Sequence, residues 1–136
     1  HQFDYVLDCI DSVSPKLALI KACRRRKIKL VSSMGAGGKT DPSKVLVRDL
    51  SKTNNCYLAK QIRKRLKKEG ITKGFRCVFS TEIQKEESLK LTDGSNFKKS
   101  FYGTISFMPA LFGLNAAAEV INYLLKEPSK KNQEQN

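Results

Sequence analysis

The chain has 136 residues, 40% of them hydrophobic and 29% charged, a size that allows one domain with a real core and excludes two. No stretch approaches about 18 uninterrupted apolar residues, which argues against a membrane span. Twenty-six Lys and Arg against 13 Asp and Glu give a net charge of +13. Such a surface attracts polyanions, nucleic acid first, unless the lysines only fill solvated positions.

The start, His1-Gln2-Phe3-Asp4-Tyr5, has neither the basic nor the apolar region of a signal peptide. It lacks an initiator Met and runs directly into strand-like sequence, as a fragment would. Phe3 to Ile10 is an apolar, β-prone run and predicts a buried parallel strand ending at Asp11. Ser14-Pro15 predicts a helix start, with Ser14 as cap and Pro15 at the first helical position. Leu17, Ile20 and Cys23 follow helical spacing, and Arg24-Arg25-Arg26-Lys27 suits a helix C-terminus. Ile28 to Ser32 predicts a second strand, broken by Gly35-Ala36-Gly37-Gly38. Strand, helix and strand within about 30 residues make a βαβ unit, hence a parallel sheet.

Beyond a turn at Asp41-Pro42, Lys44 to Leu50 alternates as an exposed or antiparallel strand does. Tyr57 to Lys68 predicts an amphipathic helix, with Leu58, Ile62 and Leu66 inward and Lys60, Arg63, Lys64 and Lys67 outward. Gly70 ends it. Phe75 to Phe79 predicts another strand, and residues 83–99 a mobile polar loop. Tyr102 to Phe107 predicts a last strand and Pro109 to Leu125 a long apolar helix. Residues 127–136 read as a disordered tail, leaving 1–126 as the domain. The expected architecture is α/β, a mixed sheet flanked by helices.

In an open α/β sheet, ligands bind beyond the carboxyl ends of the strands. Two segments fall there. In Asp8-Cys9-Ile10-Asp11-Ser12 a carboxylate leaves the strand just before a helix begins. Asp11 can offer hard oxygens to Mg²⁺ on a nucleoside triphosphate, or Asp11 and Ser12 only help to cap the helix. Asp8, embedded in the apolar run, needs a buried partner. The second segment runs from Ser33 to Thr40. Its Gly38-Lys39-Thr40 mimics the end of a phosphate-binding P-loop, but that motif needs Gly where Ser33 stands. Asp41-Pro42 also stops the helix that such a loop must feed. A glycine loop lining a ligand pocket and a plain tight turn both remain open.

Cys9, Cys23, Cys56 and Cys77 form no Cys-x-x-Cys pair, so zinc is not expected. Cys9 and Cys77 lie in apolar runs and read by default as buried thiols of a reducing compartment. Cys77 is also a candidate nucleophile, weighed against an inert strand cysteine. The only histidine, His1, is at the N-terminus, so no Ser/His/Asp or Cys/His arrangement can be assembled.

Phe3-Asp4-Tyr5-Val6-Leu7-Asp8-Cys9-Ile10-Asp11-Ser12-Val13 with Pro15-Lys16 resembles the strand and helix of the ThiF/MoeB adenylating superfamily, relatives of ubiquitin-activating enzymes. Cys23-Arg24-Arg25, Gly35-Ala36-Gly37-Gly38, Asp41-Pro42, Asp49-Leu50-Ser51-Lys52-Thr53 and Cys77-Val78-Phe79-Ser80-Thr81-Glu82 narrow the resemblance to the branch of tRNA threonylcarbamoyladenosine dehydratases. Gly103-Thr104-Ile105-Ser106-Phe107-Met108-Pro109, Phe112-Gly113 and Ala116-Ala117-Ala118-Glu119-Val120-Ile121 are similar to the superfamily's closing strand and helix. The resemblance covers about residues 3–125 and implies the C-terminal half of a Rossmann-like ThiF/MoeB fold.

It further implies ATP-dependent adenylation of a carboxylate, here the threonyl carboxylate of the modified adenosine beside the anticodon, which is cyclised with net loss of water. By matching position, Asp11 would face Mg²⁺ and the ATP phosphates, with Ser12 and Lys16 at the same helix entrance. A chemical role for Cys77 transfers less directly, because this branch need not form a thioester. With tRNA as partner, Arg24, Arg25, Lys60, Arg63, Lys64 and Lys67 would meet phosphates. The superfamily tends to pair through this half, which implies a homodimer, and the compartment would be intracellular, cytoplasmic by default with an organelle left open. The superfamily's Gly-x-Gly-x-x-Gly half and the zinc-binding cysteine pairs of many relatives are not in this sequence, so the chain alone is expected to be inactive. The alternatives are activation of a ubiquitin-like or sulfur-carrier protein, and a non-catalytic RNA-binding module of the same fold.

Overall fold

Four strands, Tyr5–Asp8 (β1), Lys29–Ser33 (β2), Val45–Asp49 (β3) and Arg76–Ser80 (β4), form one mixed sheet in the order β1-β2-β4-β3. The computed structural model describes residues 3–84, 89–91 and 100–126. β1, β2 and β4 are parallel, with Val6 opposite Leu30 and Ser32 opposite Cys77. β3 runs antiparallel to β4, as its alternation predicts, with Val47 opposite Val78. Val13–Arg25 (α1) and Tyr57–Lys67 (α2) cover one face, where Ile20, Leu30, Ile62, Leu66 and Phe79 bury together. Phe107–Lys126 (α3) covers the other, burying Met108, Phe112 and Ala116 on Val31 and Val78. The mixed α/β architecture read from the sequence is the one observed.

Several local expectations are corrected. β1 is an outer strand with only β2 beside it, so Leu7 is 43% exposed and the expected burial along Phe3–Ile10 is not met. α1 starts two residues earlier than Ser14-Pro15 suggested: Ser12 is its cap residue, and Lys16 N–H donates to the Ser12 carbonyl at 3.2 Å. Pro15 then sits third in the helix, where its missing N–H costs nothing because first-turn N–H groups have no intrahelical partner. The expected strand over Tyr102–Phe107 is not formed. Ser100–Tyr102 (β6) instead pairs antiparallel with Leu89–Leu91 (β5), and the latter falls inside the segment read as a loop. The Gly103 carbonyl is taken by Gly38 N–H at 2.9 Å and the Ile105 carbonyl by Met108 N–H at 3.1 Å, which turns the chain into α3. The rest of the 83–99 loop beyond Gln84, and the tail 127–136, lie outside the described residues.

α3 has 20 residues and a mean hydropathy of 1.2, enough by length and composition alone to cross a membrane. Asn115, Glu119 and Asn122 interrupt its apolar run, which is why no long unbroken segment stands out in the sequence. In the fold it is a covering helix, tied to the start of β4 by a Glu119–Arg76 ion pair at 2.8 Å.

Candidate functional site

The carboxyl ends of β1, β2 and β4 lie side by side, and the loops leaving them form the end of the sheet where α/β proteins hold ligands. The loop after β1 is fastened from below. Asp8 is fully buried, accepts the Ser32 hydroxyl at 2.6 Å and pairs with the Lys16 ammonium at 2.9 Å. It thereby has the buried partner its apolar setting demanded. Lys16 also donates to the Ile10 carbonyl at 2.8 Å and the Ser33 carbonyl at 2.7 Å, while Ile10 N–H donates to Asp8 at 2.9 Å. One ammonium thus ties β1, β2 and the 9–12 turn together. Asp11 and Ser12 ride on that turn and are exposed.

The sequence-predicted residues therefore separate. Asp11 and Ser12 stand at the sheet end; Lys16 is corrected from a nucleotide-facing cation to a wholly buried one whose donors meet Asp8, Ile10 and Ser33. Cys77 is corrected too. It is fully buried within β4, and burial pushes its thiol well up, so it offers no thiolate. Cys9, expected inside, is exposed just beyond the end of β1. Among the described residues no three or more His, Cys, Asp or Glu side chains come together.

The Gly38-Lys39-Thr40 segment is a structural lock rather than a phosphate loop. Lys39 is buried and donates to the carbonyls of Asn55 (2.5 Å), Ser80 (3.3 Å) and Glu82, and burial lowers its pKa. Gly38 takes φ +70°, a left-handed conformation that glycine adopts without steric cost. Glu82 closes the lock: its carboxylate accepts Thr40 N–H and Asp41 N–H, both at 2.8 Å, and the Thr40 hydroxyl at 3.1 Å. Burial alone would raise its pKa, but these donors outweigh it and hold the carboxyl below its usual range. The sequence offers Lys39 only as part of a P-loop mimic and Glu82 only within a family motif, because the contacts that join them to Ser80, Thr40 and Asp41 span some 40 residues of chain.

The lock makes a pH prediction. A carboxyl depressed in the folded state contributes stability above its unfolded pKa of about 4.3, and that contribution is lost as pH falls through the folded value. Glu82→Gln should cost about 1–3 kcal/mol at neutral pH and flatten the acid limb of stability against pH. Urea melts of wild type and variant between neutral pH and about pH 3 check this; parallel acid limbs would contradict it.

Of the predicted nucleic-acid contacts, Arg24, Arg25, Lys60, Lys64 and Lys67 are exposed. Arg63 is corrected: it is half-buried and donates to the Thr53 carbonyl at 3.0 Å and to the Thr53 hydroxyl, so it braces the start of α2.

The fold is thus that of an α/β protein, a mixed sheet with the exposed Asp11 on a fastened turn just beyond the end of an outer strand. The chain belongs to the ThiF family, whose model matches residues 1–136. It is 38% identical over 131 residues to the tRNA threonylcarbamoyladenosine dehydratase of Bacillus subtilis, covering 91% of this chain and 52% of that protein. It is 52% identical over 87 residues to that of Escherichia coli, covering 59% of this chain and 32% of the relative. The crystal structure of E. coli tRNA N6-threonylcarbamoyladenosine dehydratase, TcdA, in complex with ATP superposes with a TM-score of 0.76 at 37% identity, over 99% of this chain and 51% of that one. The chain therefore spans about half the length of the relatives it matches along most of its own length.

Proposed function

We propose that the natural protein carrying this chain is an ATP-dependent tRNA threonylcarbamoyladenosine dehydratase. It adenylates the threonyl carboxylate of the modified adenosine and cyclises it with net loss of water. The observation that carries the reading is Asp11, an exposed carboxylate on a turn that the buried Asp8–Lys16 pair holds at the carboxyl end of β1. Its hard oxygens fit Mg²⁺ on the ATP phosphates, with Ser12 beside it. Lys16 acts beneath the turn as a positioning residue. The dehydratase names of the relatives and the ATP complex of TcdA support the same activity.

The +13 charge suits tRNA as the polyanion, and a tRNA partner would be met inside the cell. Lys60, Lys64 and Lys67 on α2 and Arg24 and Arg25 at the end of α1 are the cations we assign to its phosphates. A homodimer is part of the proposal. Phe107, Leu114, Ile121 and Leu125 recur along one exposed stripe of α3, Leu114 at 68% exposure, and a second copy's helix would cover them. Sedimentation of the natural full-length protein reads that state directly.

The test of the activity is AMP formation. It should require ATP together with tRNA bearing the threonylcarbamoyl group, and unmodified tRNA should give none. AMP formed equally with a ubiquitin-like or sulfur-carrier protein in place of tRNA would favour carrier activation instead. The 136-residue chain alone should form none, since Lys39 is locked against carbonyls and cannot serve phosphates.

A further inference from the structure

We infer that a second, cationic cleft, at the opposite end of the sheet from Asp11, seats the phosphodiester backbone of the bound RNA. The cleft has a volume of about 600 Å³ and opens where the strands begin, between the C-terminal ends of α1 and α3. Arg24, Lys27, Lys29 and Arg76 line it, against two acids, Asp49 and Glu119. Both acids are already engaged. Asp49 accepts Ser51 N–H and Gly74 N–H at 2.9 Å each, and Glu119 pairs with Arg76 at 2.8 Å. Four cations against two carboxylates leave the lining with a net charge of +2, with Glu119 offset by Arg76 and Asp49 turned to backbone donors.

Arg24 and Lys29 are held, not merely displayed. Arg24 donates to the Gly74 carbonyl at 3.1 Å and lies against Gly74, where an added Cβ would stand 2.3 Å from its Nη1. Gly74 has φ +108°, so its conformation and its lack of a side chain both keep the guanidinium in place. Lys29 sits over the Tyr123 ring, 5.4 Å from the centroid, and Tyr5 braces that ring edge-on at 5.2 Å. Lys27, itself in the left-handed region at φ 56°, is exposed, and no acid pairs with it among the described residues.

Anchored cations around an aromatic wall, in a space the size of a nucleotide unit, match a sugar–phosphate chain. An RNA partner is favoured over an acidic protein because the excess charge extends round α1 to Lys64, Arg65 and Lys68, which line the groove between α1 and α2 where Glu69 pairs with Lys21. The sheet is only about 15 Å from end to end, so one RNA can fill this cleft and still present a base at the Asp11 end. The inference rests on the tRNA reading above, and the test separates the two.

The experiment titrates the natural full-length protein with tRNA across a salt series, for wild type, Lys27→Gln/Lys29→Gln and the charge-keeping Lys27→Arg/Lys29→Arg. Loss of two phosphate contacts should reduce the slope of log affinity against log salt by about 1.4–1.8, with the Arg pair close to wild type. ATP affinity and melting temperature should be unchanged in both variants. A wild type that binds no tRNA at any salt would overturn the tRNA reading itself, and the cleft with it. A wild type that binds, with a Gln pair of equal slope and affinity, would overturn the cleft alone. Inorganic pyrophosphate binding that depends on Lys27 and Lys29 without any change in the tRNA slope would assign the cleft to free phosphates and likewise overturn it.

Discussion

Lys16→Met should destabilise the fold by about 3–5 kcal/mol, well beyond the roughly 1 kcal/mol typical of a point substitution. The variant leaves Asp8 fully buried with its carboxylate facing only Ser32 Oγ and Ile10 N–H, and it strips a donor from the Ile10 and Ser33 carbonyls. A buried charge without its partner costs far more than the pair itself contributes, because no water can replace the lost ammonium. Lys16→Met/Asp8→Leu should recover much of the loss, since an apolar pair of similar volume removes both charges together. Denaturant titration of the two variants checks this. A Lys16→Met protein within about 1 kcal/mol of wild type would mean that the clamp does not hold the turn.

Asp11→Asn should lower the rate of AMP formation by at least about 100-fold in the natural full-length protein, with melting unchanged. The amide keeps the size of the carboxylate but removes the negative charge that Mg²⁺ needs, and metal stabilisation of phosphate charge supplies several kcal/mol. Stability should change little because the side chain is exposed and the buried Lys16 ammonium fastens the turn from below. Adenylation near the wild-type rate would remove Asp11 from the site.

The two substitutions divide the Asp8–Lys16 segment by depth, and that division marks how far the sequence could be read. The βαβ unit, the antiparallel β3 and the inward face of α2 followed from periodicity and hold in the structure. Asp8 announced its own need for a partner. Lys16 was the readable answer: it precedes Ile20 by four and Cys23 by seven residues, both buried, so it lies on the inward stripe of α1. The family resemblance puts it at the helix entrance by matching position, which says nothing of its depth.

Both α1 and α3 begin two residues before the position their proline suggested, with Pro15 and Pro109 third in each helix. Proline is tolerated throughout a first turn, so it marks that turn without marking its first residue. The failures elsewhere are non-local. Arg63 has the spacing of a solvated cation, and nothing near it in sequence reveals that Thr53 lies within reach. Glu82 looks like an ordinary loop charge, and Lys39 like part of a phosphate-loop mimic, until the ends of β2, β4 and the start of α2 are brought together. Leu7 reads as buried because the pattern cannot tell an outer strand from an inner one.

The most direct measurement is the mass of threonylcarbamoyl-modified tRNA after incubation with the natural full-length protein, ATP and Mg²⁺. The proposed function predicts loss of one water from the modified adenosine, dependent on ATP and abolished or strongly slowed by Asp11→Asn. An unchanged tRNA mass with an active, folded protein, or a loss of water that proceeds without ATP, would contradict it.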